Sequence, residues 1–216
     1  AAGVWGVQGG MHKLVEALTA RLRVHDVEVR TDAHVARIEM QDHRAAAVHL
    51  ADGIRQPCEV LVHAGDPRAL ASGALGPAVA HIAPVTMRAP RSFSARVLSF
   101  AAAPGRDDLV HHNVFFQADA EAEFRDLMAG RLPAQPSFYI CALDRGQGDD
   151  PPPLERFEII TNAPALSPDT DTTTDPEDLT QWLHQLTQQM THFGMTISPT
   201  PPAQTVTTPH AFARLF

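Results

Sequence analysis

Lysine is almost missing from this chain: Lys13 is the only one in 216 residues. Seventeen basic residues face 25 acidic ones, for a formal net charge of -8. Binding to phosphate backbones needs clustered cations, and the scattered arginines form no cluster, which argues against a nucleic-acid face. Cysteine is scarce too. Cys58 and Cys141 each lie in an apolar, strand-like run. They supply no disulfide framework and read as small buried thiols in a reducing compartment. No apolar run approaches the roughly 20 residues of a membrane-spanning helix. The best, Val97 to Pro104, is short and follows Arg96. No signal peptide is visible. No G-x-G-x-x-G follows a strand-like run, so no helix N-terminus is marked as a pyrophosphate cradle. G-x-S-x-G is absent as well, which leaves hydrolase chemistry without its nucleophile elbow.

What remains is globular. Hydrophobic residues make up 44% of the chain, enough for a sizeable core in one large domain or two lobes. Twelve histidines are many, but they are dispersed. His111 and His112 are adjacent, and neighbours on a strand face opposite sides, so no metal site is expected. Glu121 and Glu123 read as a solvated helix face.

Local signals set out the elements. Val4 to Val7 reads as a strand leading through Gly9-Gly10 into a helix. That helix carries Met11, Leu14, Val15, Leu18 and Leu22 as one apolar stripe. Strands are predicted at 27–30, 34–40, 45–50 and 54–64, with turns at Asp42-His43-Arg44 and Asp52-Gly53. Glu59 to Ala64 is apolar enough for a strand buried on both faces. Gly65-Asp66-Pro67 stops it and starts a helix over 68–75. Further on, strands are predicted at 92–100, 113–117, 137–143, 157–163 and 204–208, with Phe93, Ala95 and Val97 sharing a face of the first. A short helix covers 120–128. A longer one starts at Asp175-Pro176, carries Leu179, Trp182, Leu183, Leu186, Met190 and Phe193, and ends at Gly194. Residues 149–153 form a stiff Pro-rich joint, residues 167–174 a loop, and His210 opens a last helix.

The order of strands and helix in LVHHNVFFQADAEAEFRDLMAGRLPAQPSFYICALDR, then a Pro-rich joint, then LERFEIIT, resembles the phytoene desaturase family of FAD-dependent carotenoid oxidoreductases. The branch it resembles acts on acyclic hydroxylated or methoxylated carotenoids. The helix, meander and returning strand of Gly9 to Pro67 are similar to the second contribution to an FAD-binding domain in amine-oxidase-like flavoproteins. The resemblance implies an α+β fold, with a partial FAD-binding lobe over 1–67 and an antiparallel-sheet substrate lobe over 68–216. It implies FAD contacts at Val35, Gly9, Gly10, Gly65 and Asp66. It implies carotenoid contacts at His111, His112, Asn113, Phe115 and Tyr139. Phe93, Val97, Ile140, Ile159 and Trp182 join Phe115 and Tyr139 as core or tunnel. No catalytic residue is marked. With neither initiating Met nor dinucleotide motif, the chain is expected to be an internal piece of such an enzyme, cytoplasmic and peripheral to the inner membrane. Two alternatives stay open: a flavin-dependent carotenoid or retinoid isomerase or saturase, and a non-catalytic domain.

Overall fold

The computed structural model describes residues 5–103, 106–146, 150–167, 170, 179–196 and 204–215. The chain divides into two compact units. One is His12–Pro90; the other joins Ala1–Met11 to Arg91–Phe216. Both mix helix with antiparallel sheet. The division differs from a boundary at 67/68. Residues 68–90 stay with the first unit because Leu70 and Val79 share a small core with Ile38. The Ile38 N–H also donates to the Leu75 carbonyl at 2.9 Å. Gly9 and Gly10 fall in the second unit instead.

In His12–Pro90, helix α1 (His12–Val24) precedes a meander of β1 (Val35–Gln41), β2 (Arg44–Leu50) and β3 (Arg55–Pro57). Asp42 and His43 both take positive φ, the twist that a two-residue hairpin requires. At the next turn the Asp52 carboxylate accepts from the Ile54 N–H at 3.0 Å. Three expectations fail here. Residues 27–30 form no strand, and the predicted strand at 54–64 shrinks to β3. Val60 and Val62 are 80% and 83% exposed. A strand buried on both faces needs flanking strands and covering helices, and β2 and β3 supply pairing only as far as Pro57. The apolar stripe of α1 has the expected period, yet Met11, Leu14, Val15, Leu18 and Leu22 are all exposed and no α1 residue is buried.

The second unit holds a five-stranded antiparallel sheet in the order β5-β6-β7-β4-β8. Its strands are β4 (Ser94–Ala102), β5 (His112–Phe115), β6 (Phe138–Ala142), β7 (Glu155–Ala163) and β8 (Gln204–Thr207). Leu98 lies opposite Ile159, Phe100 opposite Phe157, and Ile140 opposite Ile159. This puts large apolar side chains of three central strands in one layer. Helix α4 (Leu179–His192) covers the layer with Trp182, Leu186 and Met190. Truncating a fully buried Ile159 to alanine costs about 2–5 kcal/mol at such a site. The face of β4 turned to this core carries Leu98, Phe100 and Ala102, and Ala95 and Val97 share the opposite one.

Helix α2 (Pro67–Ala71) is short, whereas α3 spans Ala120–Met128 as predicted, and α5 (Pro209–Leu215) closes the chain. Gly194 ends α4 at φ 73°, with the Met195 N–H returning to the Met190 carbonyl at 2.9 Å. Residues 5–7 are not a strand, and Val4 lies outside the described residues. So do the predicted cap at Asp175-Pro176, Asp149, and most of 167–174.

Candidate functional site

Alternation along β6 sends Phe138, Ile140 and Ala142 inward and leaves Tyr139 and Cys141 on the opposite face. There Cys141 pairs in register with His112 on β5 and with Glu158 on β7. Leu143 follows two residues after Cys141, and Arg156 precedes Glu158 by two. His111, His112, Cys141, Leu143 and Arg156 floor a cleft of about 490 Å³, whose walls include Trp5, Gly6, Val7, Gly9, Gly10 and Met11. Every lining residue belongs to the second unit.

The cleft brings together two groups that the sequence reading kept apart: Gly9-Gly10, expected to face a cofactor, and His111-His112, expected to face a substrate. Gly9 and Gly10 have φ of 81° and 90°, and a Cβ at Gly10 would meet nothing within 4 Å. The backbone is open there, and only glycine adopts that conformation without strain. His111 ends the loop before β5, so strand alternation does not govern it. Its ring stands edge-on to His112, 4.4 Å between centroids, where opposite faces were expected. His111 Nδ1 lies 2.9 Å from the Arg145 carbonyl and Nε2 lies 3.6 Å from Cys141 Sγ. His112 Nδ1 is 2.6 Å from the Tyr139 hydroxyl. Burial, then a hydrogen bond with Cys141, push the Tyr139 phenol above its ordinary pKa, so the hydroxyl keeps its proton at neutral pH.

Other predicted site residues have structural employment. Asn113 Nδ2 donates to the Val110 and Ile140 carbonyls at 2.6 and 3.2 Å, and its Oδ1 accepts from the Val110 N–H. It clips the loop to the sheet. Phe115 faces the core, stacked on Phe138 at 5.0 Å and tilted against Phe193 at 5.3 Å between centroids. In the other unit, Asp66 caps α2 by accepting from the Arg68 N–H at 2.9 Å. At Gly65 an added Cβ would come within 3.0 Å of the His63 ring. Val35 lies half-buried on β1, an edge strand of its sheet, so one side of that backbone faces away from β2. The β1 edge at Val35 leaves peptide groups of its own unit free to meet a nucleotide edge, whereas Asp66 is already engaged as the cap of α2.

Sequence reasoning missed Cys141, Leu143 and Arg156 as cleft residues. The period of two from Tyr139 pointed to the first two; Arg156 needed the register of β7. It also misread Glu123, which is 3% exposed rather than solvated. Its carboxylate accepts from the Ser137 N–H at 3.0 Å and from Asn162 Nδ2 at 2.9 Å, tying α3 to the sheet. A second cleft of about 310 Å³ lies beside Arg96 and Trp182, but its walls hold no histidine, cysteine or carboxylate.

Comparison with known proteins bears on this arrangement. The chain is 43% identical over all 216 residues to the hydroxyneurosporene desaturase of Cereibacter sphaeroides, covering 43% of that protein. It is 37% identical over 99% of its length to the hydroxyneurosporene desaturase of Rhodobacter capsulatus, covering 42%. The chain is thus similar along its whole length to part of the hydroxyneurosporene desaturases. Its residues 1–99 match the family model of flavin containing amine oxidoreductases. The 4,4'-diapolycopene oxygenase of a Methylomonas species is more distant, at 31% identity over 77% of the chain and 34% of that protein. The chain thus spans about two fifths of the length of the desaturases it matches. No described helix is long and apolar enough to cross a membrane.

Proposed function

We propose that this chain serves as part of an FAD-dependent desaturase acting on an acyclic 1-hydroxy or methoxy carotenoid in carotenoid biosynthesis. The observation that carries the reading is identity along the whole chain to hydroxyneurosporene desaturases. Bound flavin supplies two-electron oxidation in such enzymes. In this reading the chain's own residues bind and orient. The Gly9-Gly10 backbone and the β1 edge at Val35 approach the cofactor. His111, His112 and Tyr139 meet the oxygen-bearing end of the substrate, and Trp5 and Leu143 give apolar contact beside them. His12–Pro90 belongs to the FAD-binding lobe and Arg91–Phe216 to the substrate lobe. The exposed stripe of α1 and the Val60–Val62 run are surfaces that the rest of a longer flavoprotein covers, because apolar area of this extent is costly in water. The protein works at the cytoplasmic side of the inner membrane as a peripheral enzyme, since its substrate resides in lipid.

A segment exchange tests this. The matching segment of the Cereibacter sphaeroides desaturase is replaced by this chain, and flavin content and hydroxyneurosporene conversion are measured. Retained desaturation is the expected result. A folded, flavin-loaded hybrid that leaves the carotenoid unchanged counts against the substrate assignment; a folded hybrid without flavin counts against the cofactor assignment.

A further inference from the structure

We infer that His111, His112 and Cys141 form a three-ligand site for a borderline-soft divalent cation of the zinc class, with a fourth position open to the cleft. One nitrogen from each ring and the thiol sulfur lie within 4.8 Å of one another. The set joins the adjacent His111 and His112, at a loop end and the start of β5, to Cys141 on β6, thirty residues after His111. Its chemistry is selective, because two imidazoles and a thiolate suit zinc-class ions and not magnesium or calcium.

The distances argue further. With Zn–S near 2.3 Å and Zn–N near 2.05 Å, a tetrahedral ion spans an S···N edge of about 3.6 Å. His111 Nε2 and Cys141 Sγ stand 3.6 Å apart. The tautomer agrees too. A carbonyl only accepts, so the 2.9 Å contact with the Arg145 carbonyl places the His111 proton on Nδ1. The neutral ring then presents its Nε2 lone pair towards Cys141. Histidine ligands ordinarily hold their distal N–H this way. His112 has an equivalent support, since the Tyr139 oxygen, 2.6 Å from Nδ1, accepts as readily as it donates. Arg156, which lines the cleft, is neutralised by Asp144 at 2.5 Å. Glu158, paired with Cys141 across the sheet, adds negative potential. The cleft supplies access and room for a water or exogenous ligand on the fourth position. This site does not depend on the desaturase reading.

The test uses the full chain without a histidine tag, stripped with chelator and titrated with Co²⁺ under reducing conditions. One equivalent is expected to give a thiolate-to-cobalt charge-transfer band that Zn²⁺ displaces. Cys141→Ser abolishes the band, and His111→Gln or His112→Gln weakens affinity about tenfold or more. Cys58→Ser and His81→Gln leave both unchanged. Should Cys141→Ser misfold by circular dichroism, alkylation in the Cys58→Ser background decides: one equivalent of Zn²⁺ slows iodoacetamide modification of Cys141 about tenfold. No thiolate band in the unmodified chain, a band that survives in folded Cys141→Ser, or alkylation indifferent to Zn²⁺ overturns the assignment.

Discussion

The Arg145 guanidinium grips the Glu155 carboxylate through two parallel hydrogen bonds, Nε to Oε2 at 2.8 Å and Nη2 to Oε1 at 3.0 Å. Glu155 is fully buried at the start of β7. The same guanidinium donates to the carbonyls of Arg106, Asp107 and Leu109, so one side chain anchors the loop that leads to His111. Its hydrogen bonds to Glu155 raise its pKa still further, so the guanidinium stays charged. Removing one partner strands a buried charge. Arg145→Met is expected to destabilise the second unit by about 3–5 kcal/mol. The double substitution with Glu155→Leu should recover part of that loss, because no ion is then left buried. Urea unfolding followed by tryptophan fluorescence checks both, since Trp5 and Trp182 report on this unit. A double variant less stable than the single one contradicts the account.

Glu123 makes a sharper distinction between charge and shape. Both of its oxygens accept, one from a backbone N–H and one from an amide. Glutamine has the same outline but turns an NH₂ towards one of those donors. Glu123→Gln should cost about 1–3 kcal/mol, visible as a lower urea midpoint. Glu121→Gln, on the exposed side of the same helix, should change almost nothing. Equal effects at the two positions contradict the burial argument.

In the meander, Arg55 first and His49 second hold the Glu39 carboxyl down from 4.5 to about 2. A folded pKa below the unfolded one stabilises above the unfolded value, and the benefit fades as pH falls from about 4.5 towards 2. The Glu39→Gln chain should therefore be less stable than the parent at pH 6 and indistinguishable from it near pH 2. Carboxyl NMR titration measures the midpoint directly; a value near 4.5 disproves the coupling.

Gly10 tests backbone conformation apart from packing. Its φ of 90° and the open space at its Cβ position mean that Gly10→Ala meets no steric neighbour, only the left-handed penalty of about 1–2 kcal/mol. Thermal unfolding should show a loss of that order, or a rearranged 8–11 turn with altered Trp5 fluorescence. Neutral behaviour on both measures would show that the turn is not glycine-dependent.

The exposed stripe of α1 predicts an inverse result. Leu14→Gln and Leu18→Gln should leave the chain's stability within about 0.5 kcal/mol, as for other exposed positions, and raise its solubility. A large loss of stability at either position would mean that the stripe is packed.

Local chemistry was legible in the residues. Asp52-Gly53 and Asp42-His43-Arg44 marked the meander turns, the short helix at 120–128 was placed as α3, and the strand-like runs at 137–143 and 157–163 were placed as β6 and β7. These depend on dihedral preferences and side-chain direction within a few residues, which the chain carries wherever it folds. What lay beyond sequence was every property that needs a second segment. The inner face of β4 depended on its register with β7. The apolar run at 59–64 formed no strand because pairing beyond Pro57 has no neighbour to supply it. Arg145 met Glu155, and the cleft gathered His111, His112 and Cys141, only once antiparallel pairing had brought distant positions side by side. Sequence periodicity says that a residue lies on a face; only the tertiary packing says what that face meets.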